Sequence, residues 1–116
     1  MWGHGKIIVL VNASTGSAGE HFTQLASAFP NVTVMGFTHS SCSAQGMHVV
    51  QFDYGYLSYS AVLLLNEDGT VFIDTDSSRA ATVPLDVQIP FDEEAVEVLF
   101  DRGEDYVLQY AMEYLY

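Results

Sequence analysis

The stretch "KIIVLVNASTGSAGEHFTQLASAFPNVTVMGF", residues 6–37, decides the fold of this 116-residue chain. Its opening, "KIIVLVN", is a continuous apolar run rich in β-branched residues. Gly5 and the turn-forming "NASTG" bound it, and that pattern predicts a strand buried on both faces. In "SAGEHFTQLASAF" the apolar residues Phe22, Leu25, Ala26 and Phe29 return at helical spacing, and Pro30 with Asn31 closes the element. "VTVMGF" then reads as a second strand. Strand, helix and strand joined by short links make a βαβ unit, which needs a parallel sheet. The loop after the first strand opens at the carboxyl edge of that sheet, where open α/β sheets hold their ligands. Ser17 lies in that loop.

Working outward, the small polar loop "THSSCSAQG" leads to "MHVVQFDY" and "YLSYSAVLLLN". These segments alternate in part and are rich in aromatic residues, with "NEDGT" as a turn before "VFI", so this section is expected to be antiparallel. The character changes at Pro90. Asp92 is placed to cap a helix, with Phe91 packing on Val96 as a staple, and Gly103 ends that helix. "EDYVLQYAMEYLY" predicts a second terminal helix whose inward face is Val107, Leu108, Ala111, Met112 and Leu115. No internal repeat, linker or low-complexity segment interrupts the chain, so residues 1–116 read as one domain or one piece of a domain.

Composition narrows the function classes. A 49% hydrophobic content supports a real core, and three Lys/Arg against fifteen Asp/Glu give a formal charge of −12. Such a charge repels phosphate backbones and anionic membranes, so nucleic acid is not an expected partner. The longest apolar runs, "IIVLV" (7–11) and "AVLLL" (61–65), fall far short of the roughly 20 residues that span a bilayer. "MWGHGKIIVLV" has the outline of a signal peptide, but its apolar part is too short, and it reads as the buried strand. The single cysteine, Cys42, excludes an internal disulfide and a multi-thiolate zinc site. Four dispersed histidines, His4, His21, His39 and His48, lack ligand spacing, so a metal is not expected. The sequons at Asn12 and Asn31 would matter only in a secreted eukaryotic protein.

Ser17 admits two readings. As a cap, "SAGE" is a capping box in which the Ser17 hydroxyl accepts from the Glu20 amide and Glu20 reaches back. As a nucleophile, Ser17 matches the G-x-S-x-G elbow in part: Gly19 stands two residues after it, but Thr15 stands two before. Gly16, Ala18 and Gly19 supply the small neighbours that let a substrate approach. A helix N-terminus favours an alkoxide or oxyanion, so both readings can hold at once.

"VLVNASTGSAGEHF" resembles the nucleophile segment of the S41 serine peptidases, the C-terminal processing or tail-specific proteases, which typically reads N-x-G-T-A-S-A-S-E. Asn12, Thr15, Ser17, Ala18 and Glu20 match. "NVTVMGFTHSS" is similar to the family's strand ending in glycine and a threonine-containing loop, "VPLDVQIPFDEEAV" to its PD-x-x-VP element, and "GEDYVLQYAMEYL" to its closing helix. The resemblance covers nearly the whole chain. It implies a crotonase/ClpP-like α/β fold, with residues 1–116 as the C-terminal part of a peptidase domain, protein or peptide substrates and no cofactor. It further implies Ser17 as nucleophile and the Ala18 amide as an oxyanion donor. A periplasmic or extracellular location would follow.

The departures concern the general base. The processing branch uses a lysine in the loop after the second strand, but "THSSCSAQG" has none, and Cys42 falls about where it would stand. A neutral thiol does not replace an amine base. A tricorn-like branch brings a histidine from an upstream region, which would lie before residue 1, and an acidic residue downstream of the serine. Asp74 and Asp76 could orient a histidine, although a polar turn explains them equally well, whereas Asp86 reads as structural. The general base is therefore expected to be missing from the chain or supplied from upstream sequence; among its own residues His39 is the best placed, in the loop facing the same end of the sheet, where loop hydrogen bonding would also explain it. His21 leans along the helix and is better read as a packing or surface residue. A noncatalytic binding module on the same fold, like the retinoid-binding repeats of interphotoreceptor matrix, is the rival reading, with Ser17 as a helix N-cap. A sheet that has lost upstream strands would expose an edge, so a homo-oligomer is also expected.

Overall fold

The computed structural model describes residues 5–41, 46–62, 64–71 and 83–116. The first strand and helix form as the periodicity requires, β1 over Ile7–Leu10 and α1 over Ala18–Ser27, followed by β2 over Val32–Gly36. β1 and β2 pair in parallel, Ile7 opposite Val32 through Leu10 opposite Met35. This is the predicted βαβ unit.

After the loop come β3 (Gly46–Phe52) and β4 (Gly55–Val62), an antiparallel hairpin turning at Asp53 and Tyr54. Every residue of this ribbon from Met47 to Val62 is exposed except half-buried Ser58. The "NEDGT" turn closes by a bond from the Gly69 amide to Asn66, with Gly69 at φ 82°. β5 (Val87–Gln88) then returns to the parallel sheet beside β2, giving the order β1-β2-β5. Its anchor is Asp86, whose carboxylate accepts from the Val34 amide at 2.8 Å while its own amide donates to the Val34 carbonyl. Asp86 is structural, as its sequence context indicates.

The C-terminal region folds as α2 (Glu93–Val96), a wider π-helical turn (Glu97–Asp101) and α3 (Tyr106–Leu115). Asp92 caps α2 by accepting from the Ala95 amide at 3.1 Å, and Gly103 takes φ 67° where the first helical segment ends. Phe91 meets the ring of Phe37 edge-on, with centroids 5.2 Å apart.

Alternation along β1 and β2 splits the core between the two faces of the sheet. Val9, Val11 and Val34 pack with Ala26 of α1 and with Val83. Met35 and Ile89 pack on the other face with Ala95, Val98, Tyr106 and Ala111 from the C-terminal helices. The sheet is thus sandwiched, with Val34 and Met35 of the central strand both wholly buried. No described helix is long and apolar enough to cross a membrane.

Two helical faces depart from expectation. Phe22 and Leu25 of α1 and Phe29 just beyond its end are 53%, 62% and 57% exposed, and the buried positions of α1 are Glu20 and Thr23. β1 is an edge strand among the described residues. The apolar stripe lines, with Ile7, Val9 and Val32, an open groove of about 150 Å³. Leu108 and Met112 of α3 are likewise exposed, and Tyr106 with Ala111 makes the contact. Helical spacing identifies an apolar face; it does not identify what covers it.

Candidate active site

The site begins where β1 ends. Asn12 and Thr15 close a tight turn: the Thr15 amide donates to the Asn12 carbonyl at 2.9 Å, and the Asn12 amide donates to the Thr15 hydroxyl at 3.1 Å. The Asn12 side chain also accepts from the Ser14 amide at 2.9 Å, an Asx turn. The Thr15 carbonyl is held from the other loop, receiving both the amide of Ser41 at 2.9 Å and its hydroxyl at 3.1 Å. Those bonds clamp the loop after β1 to the loop after β2. Gly36 allows the close approach, because a Cβ there would collide with the Val11 carbonyl oxygen.

Fixed on that side, the chain must reverse sharply to enter α1, and the reversal falls on Ser17. Its backbone sits at φ 52°, ψ −117°, and it is the one described non-glycine residue with positive φ. L-residues avoid this region at a cost of order 1–3 kcal/mol, and such strain collects at functional sites. It is also the strained strand-to-helix turn that a nucleophile elbow requires. The capping box is corrected here. The Ser17 hydroxyl makes no capping bond, and it is the Ser17 carbonyl that receives the amides of Glu20 and His21, both at 3.1 Å.

The amides at the start of α1 are divided unequally. Gly19 donates to the Gly16 carbonyl at 3.0 Å, and Glu20 and His21 donate to Ser17. The Ala18 amide has no bond among the described residues. A helix N-terminus carries partial positive charge on such orphan donors, so the amide next to Ser17 is available to an oxyanion.

His39 stands on the facing loop, exposed, with its ring Nδ1 2.7 Å from the Ser40 carbonyl. A carbonyl only accepts, so Nδ1 carries the proton and Nε2 is left as the basic nitrogen. Ser40 is buried and Ser41 is tied to Thr15, so the His39 loop is anchored to the turn carrying Ser17. The structure thus brings Ser17, Ala18 and His39 to one edge of the sheet, although no hydrogen bond joins His39 to Ser17. His21 is half-buried with its Nε2 atom buried, and His48 stacks on Tyr59 in the hairpin, with centroids 5.6 Å apart. His4, Cys42, Asp74 and Asp76 lie outside the described residues.

Beside the turn, on the α3 face, a cavity of about 350 Å³ is lined by Leu10, Val11, Asn12, Phe37, Asp105 and Val107. Phe37 is a firm wall, stacked on Tyr106 with centroids 6.1 Å apart and edge-on to Phe91. Burial first, then the nearby carboxylates of Asp92 and Glu94, holds the Tyr106 phenol above its usual range, so it stays neutral. Sequence reasoning did not single out Thr15–Ser41, Gly36 or Asp105 as parts of this edge. Only the glycine ending an apolar run carried a visible signal.

No protein-family model matches the chain, and no curated protein matches it. Among solved structures it is similar to a chain from Parabacteroides merdae described as a "putative peptidase", at 22% identity and a TM-score of 0.65. The match covers 95% of this chain and 31% of that one. The protein therefore shares the mixed α/β fold of that structure and spans about a third of its length.

Proposed function

We propose that the chain carries the nucleophile of a serine peptidase of the S41 kind, with residues 1–116 forming the C-terminal part of a crotonase/ClpP-like peptidase domain. The observation that carries this reading is the backbone of Ser17, strained into the elbow conformation with its hydroxyl making no capping bond. Ser17 Oγ attacks the carbonyl carbon of a substrate peptide bond, and its proton passes to Nε2 of His39. The oxyanion that forms accepts from the Ala18 amide. Collapse of this intermediate expels the amine, which takes the proton from His39, and leaves an acyl-Ser17 ester that water hydrolyses.

One observation favours a second source for the base. His39 and Ser17 share no hydrogen bond, so a base supplied from sequence beyond this third of the peptidase-like neighbour would serve in its place. Phosphonylation by a fluorophosphonate, followed by mass spectrometry, separates the possibilities. Ser17 should take the label and Ser17→Ala should lose it, while His39→Gln should slow the reaction by about 10²–10⁴-fold. Unchanged labelling in His39→Gln would remove His39 from the mechanism. Labelling that survives in Ser17→Ala would remove the peptidase reading.

A further inference from the structure

The cavity beside the Ser17 turn combines apolar walls with one carboxylate. Leu10, Phe37 and Val107 provide the walls, and Asp105 and Asn12 provide the polar rim. Asn12 is bonded to Thr15, and Ser17 follows two residues later, within about 7 Å of Thr15 between Cα atoms. The cavity is thus within reach of a side chain flanking the bond that Ser17 would attack. Asp105 spends Oδ1 on the Leu108 amide at 3.0 Å, capping α3, and makes no ion pair among the described residues. The nearby cation, Arg102, is committed to Glu97 at 2.6 Å, and Lys6 precedes the opposite end of β1.

We propose that this cavity is a subsite for a basic side chain of the substrate, lysine or arginine. Its aliphatic stem would lie on Leu10, Phe37 and Val107, and its charged head would meet the Asp105 carboxylate. Long basic side chains bury their stems against apolar surface while keeping the head at a polar rim. A purely apolar side chain would fill the same walls but would desolvate Asp105 without pairing it. The helix N-terminus at Asp105 opposes a cation only partly, because its half-charge is smaller than the full charge of the carboxylate that caps it. At longer range the net charge of −12 draws cationic peptides in.

The inference rests on the nucleophile reading only in calling the ligand a substrate residue, so it is tested by binding, without turnover. Three probes, the N-acetyl methylamides of lysine, norleucine and glutamate, are titrated into the chain and followed by NMR. Lysine should bind roughly fivefold or more tightly than norleucine, and glutamate weakest, with shifts at Leu10, Phe37 and Val107. Asp105→Asn retains the cap, since asparagine caps as well as aspartate. It should bring lysine and norleucine to parity. Norleucine binding as tightly as lysine, a lysine preference that survives Asp105→Asn, or no binding by any probe would each overturn the proposal. Failure of Ser17 to take the fluorophosphonate would instead remove the nucleophile and leave this binding preference standing.

Discussion

The N-termini of α1 and α3 are built on similar sequence signals and end in opposite states. Asp105 sits at φ −86°, and its carboxylate accepts from the Leu108 amide, so the side chain is used to finish the helix. Ser17 occupies the equivalent position before α1 at φ 52°, and its side chain finishes nothing. Asp92 before α2 behaves like Asp105. Two helices spend their capping residue on stability, whereas the third accepts strain and leaves a hydroxyl and an adjacent amide unspent. The difference originates outside the helix, in the clamp from Ser41 to Thr15 and the close approach at Gly36, which fix where the chain stands when it must turn.

The largest effect should come from attacking that footing. Gly36→Ala would drive a Cβ into the Val11 carbonyl oxygen, which belongs to backbone and cannot swing aside. The ends of β1 and β2 must then separate, at an expected cost of several kcal/mol, of the order seen when a core must be overpacked or a special backbone site filled. Thermal unfolding measures it; a variant within about 0.5 kcal/mol of the parent would show that the two loops are not held as described.

A middle-sized effect belongs to the finished helix. Asp105→Ala should lose about 0.5–2 kcal/mol, because the Leu108 amide is left without its acceptor, and Asp105→Asn should recover nearly all of it. Denaturant titration of the two variants checks this. Equal loss in both would mean that the carboxylate contributes through its charge and not through the cap.

How much of this was legible in the sequence varies with the reach of the interaction. The βαβ unit was legible, since "KIIVLVN", the α1 stripe and "VTVMGF" carry their periods within a few residues. The hairpin and the Asp92 cap were legible for the same reason. β5 was not, because two residues carry no period, and what places them is the pairing of Asp86 with Val34, 52 positions away. The apolar stripe of α1 was legible, but not that Phe22 and Leu25 would line an open groove with Ile7, Val9 and Val32. At the site, the identities of Ser17, Ala18 and His39 could be picked out, whereas the choice between cap and strained elbow could not. Spacing specifies which residue stands before a helix. Its φ depends on where the chain is held before the turn, and that hold is the bond from Ser41 to Thr15, 26 positions apart.

The smallest effect carries the most information. The unfolding free energies of Ser17→Ala and Ser17→Gly, measured side by side against the parent, test whether Ser17 is held in strain with its hydroxyl uncommitted. Alanine keeps the Cβ and loses no capping bond, so it should lie within about 0.5 kcal/mol of the parent. Glycine relieves the positive φ at some cost in unfolded-chain entropy and should gain about 0.5–2 kcal/mol. A loss of about 1 kcal/mol for alanine, together with a slight loss for glycine, is the pattern of an ordinary helix cap and would contradict the account.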